Sequence, residues 1–113
     1  MALKRIILEM GTGNDLHGSD YTKAALRAVQ DALHHSSLSF VRTLGRDPNS
    51  IQVDVTIGVQ QPDRVDAAAV KASLPRGTVT VKVVKGGLDV PAEGAHDAIV
   101  IATAAIAARL ELA

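Results

Sequence analysis

One nine-residue stretch constrains the fold more than any other part of the chain, because apolar and polar positions alternate along it without a break. From Ile51 to Val59 every odd-numbered residue is Ile or Val, and the positions between them include Gln52 and Thr56. A repeat of two residues is typical of a β-strand with one buried face. The polar face, which carries Thr56, is therefore expected to meet solvent, a partner subunit or a ligand.

Other segments predict three more strands and two helices. Leu3–Glu9 has apolar residues on both faces, which is typical of an inner strand. Ala98–Leu112 combines alanines that favour a helix with β-branched residues that favour a strand, and we predict a strand. The remaining predictions are helices over Tyr21–His35 and Val65–Leu74, a strand over Thr78–Lys85, a loop over Leu88–Asp97, and a helical turn or apolar lid that contains Leu38, Phe40, Val41 and Leu44.

These elements follow one another as β-α-β-α-β-β. The order predicts an α+β (α/β two-layer) fold, with a four-stranded sheet and two helices on one face. A chain of 113 residues predicts a single domain over 1–113. Because two short helices cover only one face, we expect subunits to cover one another on the other face, as a homo-oligomer.

Charge and composition argue against several classes of partner. The chain has 12 basic and 12 acidic residues and only one Tyr and one Phe, so we expect no nucleic-acid partner. It has no cysteine, which excludes disulfides and thiolate metal sites. No apolar run approaches the ~18 residues of a membrane span. The first ten residues are too charged for a signal peptide, and we therefore expect a cytoplasmic protein without a membrane partner.

The most polar segment lies between the first strand and the first helix, and we predict a functional loop over Gly11–Ser19. Histidine titrates near neutral pH and carboxylates can orient it, so the segment has the residue types of acid/base catalysis. The predicted catalytic residues are Glu9, Asp15, His17 and Asp20. The predicted ligand-binding residues are Gly11, Thr12, Gly13, Asn14, Gly18 and Thr56.

The same segment has three other interpretations, which the sequence leaves open. The glycines can serve a tight turn with positive φ instead of cradling an anion at the helix N-terminus. Asp15 can stabilise the turn by hydrogen bonding, and Asp20 can cap the helix. Carboxylate and imidazole groups can also bind a divalent metal, which is the candidate cofactor.

Two resemblances rest on this segment. The pattern Gly11-x-Gly13-x-Asp15-x-His17-Gly18 resembles the signature of a small family of uncharacterised bacterial proteins with plant relatives, over essentially the whole chain. The glycine-rich turn followed by residues 19–23 (SDYTK) is similar to one repeat of the ring-opening amidohydrolases, cyanuric acid hydrolase and barbiturase.

The second resemblance implies a threefold arrangement of sheet-and-helix repeats around a central site, and a trimer would agree with it. It does not carry over the Ser–Lys pair of those enzymes. The position of the lysine falls near Glu9–Gly11, which has no Lys, and the position of the serine falls near Thr56. Hydrolysis of cyclic amides by that mechanism is therefore not implied.

The leading functional hypothesis is a small-molecule site in the GTGNDLHG segment at a subunit interface, with an enzyme favoured over a simple binding protein. The sequence does not specify the substrate; a cyclic amide-like compound and a small anionic metabolite are the candidates. The alternative hypothesis is a non-catalytic oligomeric module for binding or regulation. We expect a homo-oligomer built on a trimer or on dimers of such units.

Overall fold

The structure is a computed structural model that describes residues 2–35, 44–74, 76–94 and 97–112. Among these residues it has five strands, two α-helices, and single-turn 3₁₀ helices at Pro48–Ser50 and Pro62–Arg64. In chain order the elements are β1 (Ala2–Asp15), α1 (Tyr21–His34), β2 (Gln52–Val59), α2 (Ala67–Ala72), β3 (Thr78–Lys85), β4 (Leu88–Pro91) and β5 (Ala98–Leu112). The α+β fold predicted from the sequence is confirmed.

The five strands form one sheet in the order β1-β5-β2-β3, with β4 paired to β5 beyond the end of β2. β1 and β5 run antiparallel over almost their whole length, from Ala2 opposite Leu112 to Asp15 opposite Val100. β2 pairs antiparallel with the other edge of β5 and parallel with β3. The segment Ala98–Leu112, which the sequence left between helix and strand, is thus a central strand of the sheet.

Helix α1 begins at a capped N-terminus and packs through small residues. The Asp20 carboxylate accepts a hydrogen bond from the Lys23 backbone N–H at 3.0 Å, which satisfies one of the free donors of the first turn. The buried residues of the helix are Tyr21, Ala24, Ala25, Ala28, Val29 and Ala32. They join Val, Ile and Ala side chains of β2 and β5 in one core.

No helix in the described part of the chain has the length and apolarity to cross a membrane.

The first strand is longer than predicted: the prediction of a loop is wrong for residues 11–15, which continue β1, and correct for residues 16–19. Gly11, Gly13 and Asp15 belong to β1 and are buried on the side that faces α1. A Cβ added at Gly13 would come within 2.7 Å of the Arg27 carbonyl carbon, and still closer to the backbone of Ala24 and Ala28. The glycines therefore let the helix backbone approach the strand. This requirement comes from tertiary packing, and the sequence alone suggests a turn because glycine is common in turns.

Three smaller expectations also change. The sheet has five strands among the described residues instead of four, because Leu88–Pro91 pairs with β5 inside a predicted loop. The second helix is confined to Ala67–Ala72, where Asp66 caps it, and a 3₁₀ turn precedes it. The predicted helical turn or lid falls mostly outside the described residues, with Leu38, Phe40 and Val41, and Leu44 lies in a turn.

Both described helices lie on one face of the sheet, as predicted, and the strand registers identify the residues of the other face. We call it the open face. It is lined by every second residue of each strand, and cross-strand partners lie beside one another. Its central residues are Leu8, Met10 and Thr12 of β1, Thr103, Ala105 and Ala107 of β5, Asp54, Thr56 and Gly58 of β2, and Lys82 and Val84 of β3.

Candidate functional site

Asp15 lies at the end of β1 and holds the connection to α1 together. Its side chain is 4% exposed, and Oδ2 accepts a hydrogen bond from the Asp20 backbone N–H at 2.8 Å. Oδ1 lies 3.8 Å from Arg27 Nη1 and 4.0 Å from Lys23 Nζ, on the exposed side of α1. A carboxylate with these partners fixes the start of the helix, which agrees with the turn-stabilising interpretation of Asp15.

The backbone groups of the predicted loop are also engaged within the protein. Arg27 donates to the Asn14 carbonyl at 2.6 Å, and the Gly18 N–H donates to an oxygen of Asp97 at 2.7 Å. Gly18 has a φ of 91°, the left-handed conformation that glycine adopts most readily. The neighbouring Thr12 N–H, at the outer edge of β1, donates to Asp31 of α1 at 2.9 Å. These donors therefore serve the fold of the loop and the strand edge.

The structure does not bring the four predicted catalytic residues together. Glu9 and Asp15 are six residues apart on one extended strand, which separates them by about 20 Å. His17 is exposed in the bend after β1, and Asp20 is occupied as the helix cap. Within the described ranges, no group of three His, Asp or Glu side chains has the geometry to hold a metal ion. An acid/base role for these residues stays a prediction from the sequence.

A second polar cluster, which the sequence analysis missed, joins α1 to β4. The Tyr21 hydroxyl donates to Asp89 Oδ2, and the Arg64 guanidinium lies 4.7 Å from the centre of the tyrosine ring. Burial and the Asp89 carboxylate raise the pKa of Tyr21 above its ordinary value. The other oxygen of Asp89 is buried and accepts no hydrogen bond among the described residues. The signal in the sequence was the chain's only Tyr, placed at the first position of a helix.

The open face carries a depression of about 490 Å³ near the end of β2. Three exposed threonines lie along it on three strands: Thr12 is directly opposite Thr103, and Thr56 is opposite Ala105. Of the residues predicted as ligand-binding, Gly11, Thr12 and Thr56 line this depression. The other lining residues are Met10, Asp31, Gly58, Val84, Lys85, Gly86, Thr103, Ala104 and Ala105.

Several residues that line the depression are small, among them Gly58, Gly86 and Ala105. A Cβ added at Gly58 would lie 2.7 Å from the Thr103 hydroxyl and 3.3 Å from the Gly86 Cα. Glycine at this position therefore keeps the Thr103 hydroxyl accessible and lets the β3–β4 turn approach β2. Lys85 and Asp31 bring one charge of each sign to the site. The arrangement offers a largely apolar surface with hydroxyl groups that can donate and accept hydrogen bonds.

Comparison with known proteins gives a family. The model of the Lin0512 family, described as conserved hypothetical proteins, matches residues 5–108. The chain belongs to this family. No functionally curated protein matches the chain.

A solved structure is also similar to this member of the Lin0512 family. The chain is similar to a crystal structure from Nostoc punctiforme that is described as a FtsZ-like protein of unknown function. The two share 37% sequence identity over 99% of each chain, with a TM-score of 0.89. The resemblance to an uncharacterised family, stated from the sequence, is thereby confirmed as far as the family is concerned. The similarity to ring-opening amidohydrolases stays a prediction.

Proposed function

We propose that this protein binds a small molecule in the depression of the open face, at a boundary between subunits. The observation that carries the proposal is the set of three exposed threonines around a floor of glycine and alanine. Ligand sites in proteins are mostly apolar concavities with a few polar groups that fix orientation, and this depression has that composition. The three threonines lie on the uncovered side of the sheet, and only Gly11 and Asp31 at the edge of the depression belong to the contact between β1 and α1.

The shape and chemistry of the depression favour a small planar ligand with polar atoms on its rim. Gly58 and Ala105 add little bulk to the depression, which leaves room for a ring between the three threonines. The hydroxyls of Thr12, Thr56 and Thr103 can pair with carbonyl and N–H groups at the edge of such a ring. Lys85 favours a ligand with negative charge. Both candidate classes from the sequence, a cyclic amide-like compound and a small anion, fit this description.

Titration calorimetry with three probes tests the proposal: barbituric acid as a cyclic amide, and succinate and inorganic phosphate as small anions. We expect at least one to bind, and Thr56→Val to weaken its affinity about tenfold, because loss of one hydrogen bond costs about 1–1.5 kcal/mol. The matched control is Thr80→Val, which changes an exposed threonine of the same face outside the depression. Equal losses in the two variants, or no binding of any probe, would refute the proposal.

A second candidate function is the non-catalytic oligomeric module, and one observation favours it. Met10 beside the depression is 68% exposed, and Leu8 on the same face is 44% exposed. Apolar side chains grouped on an uncovered sheet face are typical of protein interfaces. If the three probes fail to bind while the protein assembles through this face, the module becomes the better description.

A further inference from the structure

We infer that the open face packs against the open face of a second copy of this chain, and that the pair closes the depression between the two sheets. The inference rests on the proposed function for the role of the depression. The association itself depends only on the surface and is measured separately. In the single chain the depression is open on one side, and the second copy would cover that side.

The open face has the area that a stable dimer needs. Residues on one face of a strand repeat every ~6.8 Å, and paired strands lie ~4.8 Å apart. Seven rows, from Leu3–Glu111 to Val90–Ile99, therefore cover roughly 40 Å by 15–20 Å, or roughly 600–800 Å². Typical stable interfaces bury about 800 Å² per partner. The molecule measures 56 × 22 × 19 Å, so this face runs along its longest dimension.

The distribution of side chains on the open face matches that of an interface. The central strands β5 and β2 carry mostly small uncharged residues on this face. They also carry one ion pair, in which Arg109 Nε lies 3.1 Å from Asp54 Oδ2. Larger apolar side chains lie at two margins, with Leu8 and Met10 on β1 and Leu88 on β4. Along the strands the charges of Arg5, Asp54 and Arg109 lie toward one end of the face, and the uncharged residues of β5 lie in its middle, which resembles the polar rim and less polar centre of a stable interface. Small side chains also let two sheets approach to the usual ~10 Å.

A second copy is the occupant because the face is complementary to itself. β1 carries the large exposed side chains of Leu8 and Met10, which project from the face. β2, two strands away, carries the smaller residues Thr56 and Gly58, which line the depression. A two-fold axis parallel to the strands places β1 of each subunit above β2 of the other, so that Met10 covers the partner's depression.

The same two-fold operation brings opposite charges together. Arg5 lies directly opposite Arg109 on β5, so the single chain places two like charges side by side. The operation keeps the rows of the two sheets in register, so Arg5 lies over the partner's Gln52, one row from the partner's Asp54, which a long arginine side chain can reach. The Asp54 carboxylate, which already pairs with Arg109 of its own sheet, then lies between two guanidinium groups, and this gives the dimer an electrostatic preference for this orientation.

Sedimentation equilibrium of the full chain from 1 to 100 µM tests the inference. We expect a mass of twice 11.8 kDa for the wild type. Leu8→Lys should weaken dimerisation by about 100-fold, because the two-fold axis buries this apolar margin of each subunit against the partner, and the substitution places two charges there. The matched control is Leu16→Lys, which changes a 54% exposed leucine in the bend after β1, away from the open face. Circular dichroism of both variants should match the wild type.

The outcomes separate the interface from the proposed function. A wild-type monomer at 100 µM, a trimer, or equal dissociation of the Leu8→Lys and Leu16→Lys variants would overturn the interface. If monomeric Leu8→Lys binds the calorimetric probe as tightly as the wild type, closure of the depression is refuted while the binding site stands. If the wild-type dimer binds none of the probes, the proposed function fails and the interface is supported.

Discussion

Replacement of Gly13 by alanine measures how closely α1 packs on β1. Gly13 has no positive φ, so alanine can adopt its backbone conformation. In an open environment the change would stabilise the fold by about 0.5–1 kcal/mol, because glycine loses more conformational freedom on folding. Here the new Cβ would lie 2.7 Å from the Arg27 carbonyl carbon, whereas ordinary contact begins at 3.4 Å. The helix must therefore move by at least 0.7 Å, the difference between these distances.

This displacement should cost about 3 kcal/mol, the upper end of the range for overpacked cores, because the obstructing atoms are backbone and cannot rotate away. A gap of 0.5–1 Å also forfeits roughly a quarter to a half of each dispersion contact it opens. For 113 residues the entropy of unfolding is about 0.24 kcal/mol/K, which converts 3 kcal/mol into a decrease of about 12 °C in Tm.

Urea unfolding followed by far-UV circular dichroism measures the effect. Thr12→Ala is the control on the same strand, since its side chain points to the open face. Ala28→Gly should not rescue Gly13→Ala, because the obstruction comes from backbone atoms and persists without the Ala28 side chain. A Gly13→Ala protein at least as stable as the wild type would refute the close approach of α1. Close packing predicts a lower free energy of unfolding, whereas an open environment predicts a higher one.

Two further predictions concern the start of α1. Asp20→Ala should lower the free energy of unfolding by about 1 kcal/mol in urea titrations, because it removes the helix cap, whereas Asp20→Asn should retain most of the stability. The raised pKa of Tyr21 means that above pH ~10 the unfolded chain releases the phenol proton while the folded chain keeps it, so stability falls as pH rises. Tyr21→Phe should remove this part of the loss of stability at alkaline pH. The absorbance of the single tyrosinate reports the titration directly. Ionisation of Tyr21 at the same pH in the folded and unfolded protein would contradict the prediction.

The sequence predicts the layers of the fold well, because strands with one buried face keep a strict alternation. Ile51–Val59 is the clearest case, and its structure as β2 over Gln52–Val59 matches the prediction within one residue. Ala98–Leu112 was harder, since alanine is compatible with both states. Its β-branched residues indicated the correct state. The buried alanines of β5, Ala102, Ala104 and Ala108, face a helix that is itself lined with alanine.

The extension of β1 could not be predicted from local preferences. Gly11 and Gly13 favour turns in isolation, and only the position of α1 explains why they remain in a strand. The contact of Asp89 with Tyr21 was also unpredictable, because it joins residues 68 positions apart and depends on the tertiary fold. Thr56 was placed correctly on the exposed side of its strand, because strand alternation fixes the face. Its neighbour Thr103 was missed because strand pairing cannot be read from one sequence.

The pairing of β1 with β5 has a consequence for synthesis on the ribosome. β1 is made first, but its partner begins only at Ala98, and β5 also separates β1 from β2 in the sheet. Until β5 emerges, β1 has no neighbour, and only β2 and β3 have a strand partner nearby in the nascent chain. Contacts between such distant segments form slowly and leave strand edges exposed to aggregation. The sheet should therefore assemble only after β5 has left the ribosome, and the nascent chain should depend until then on chaperones that protect β1.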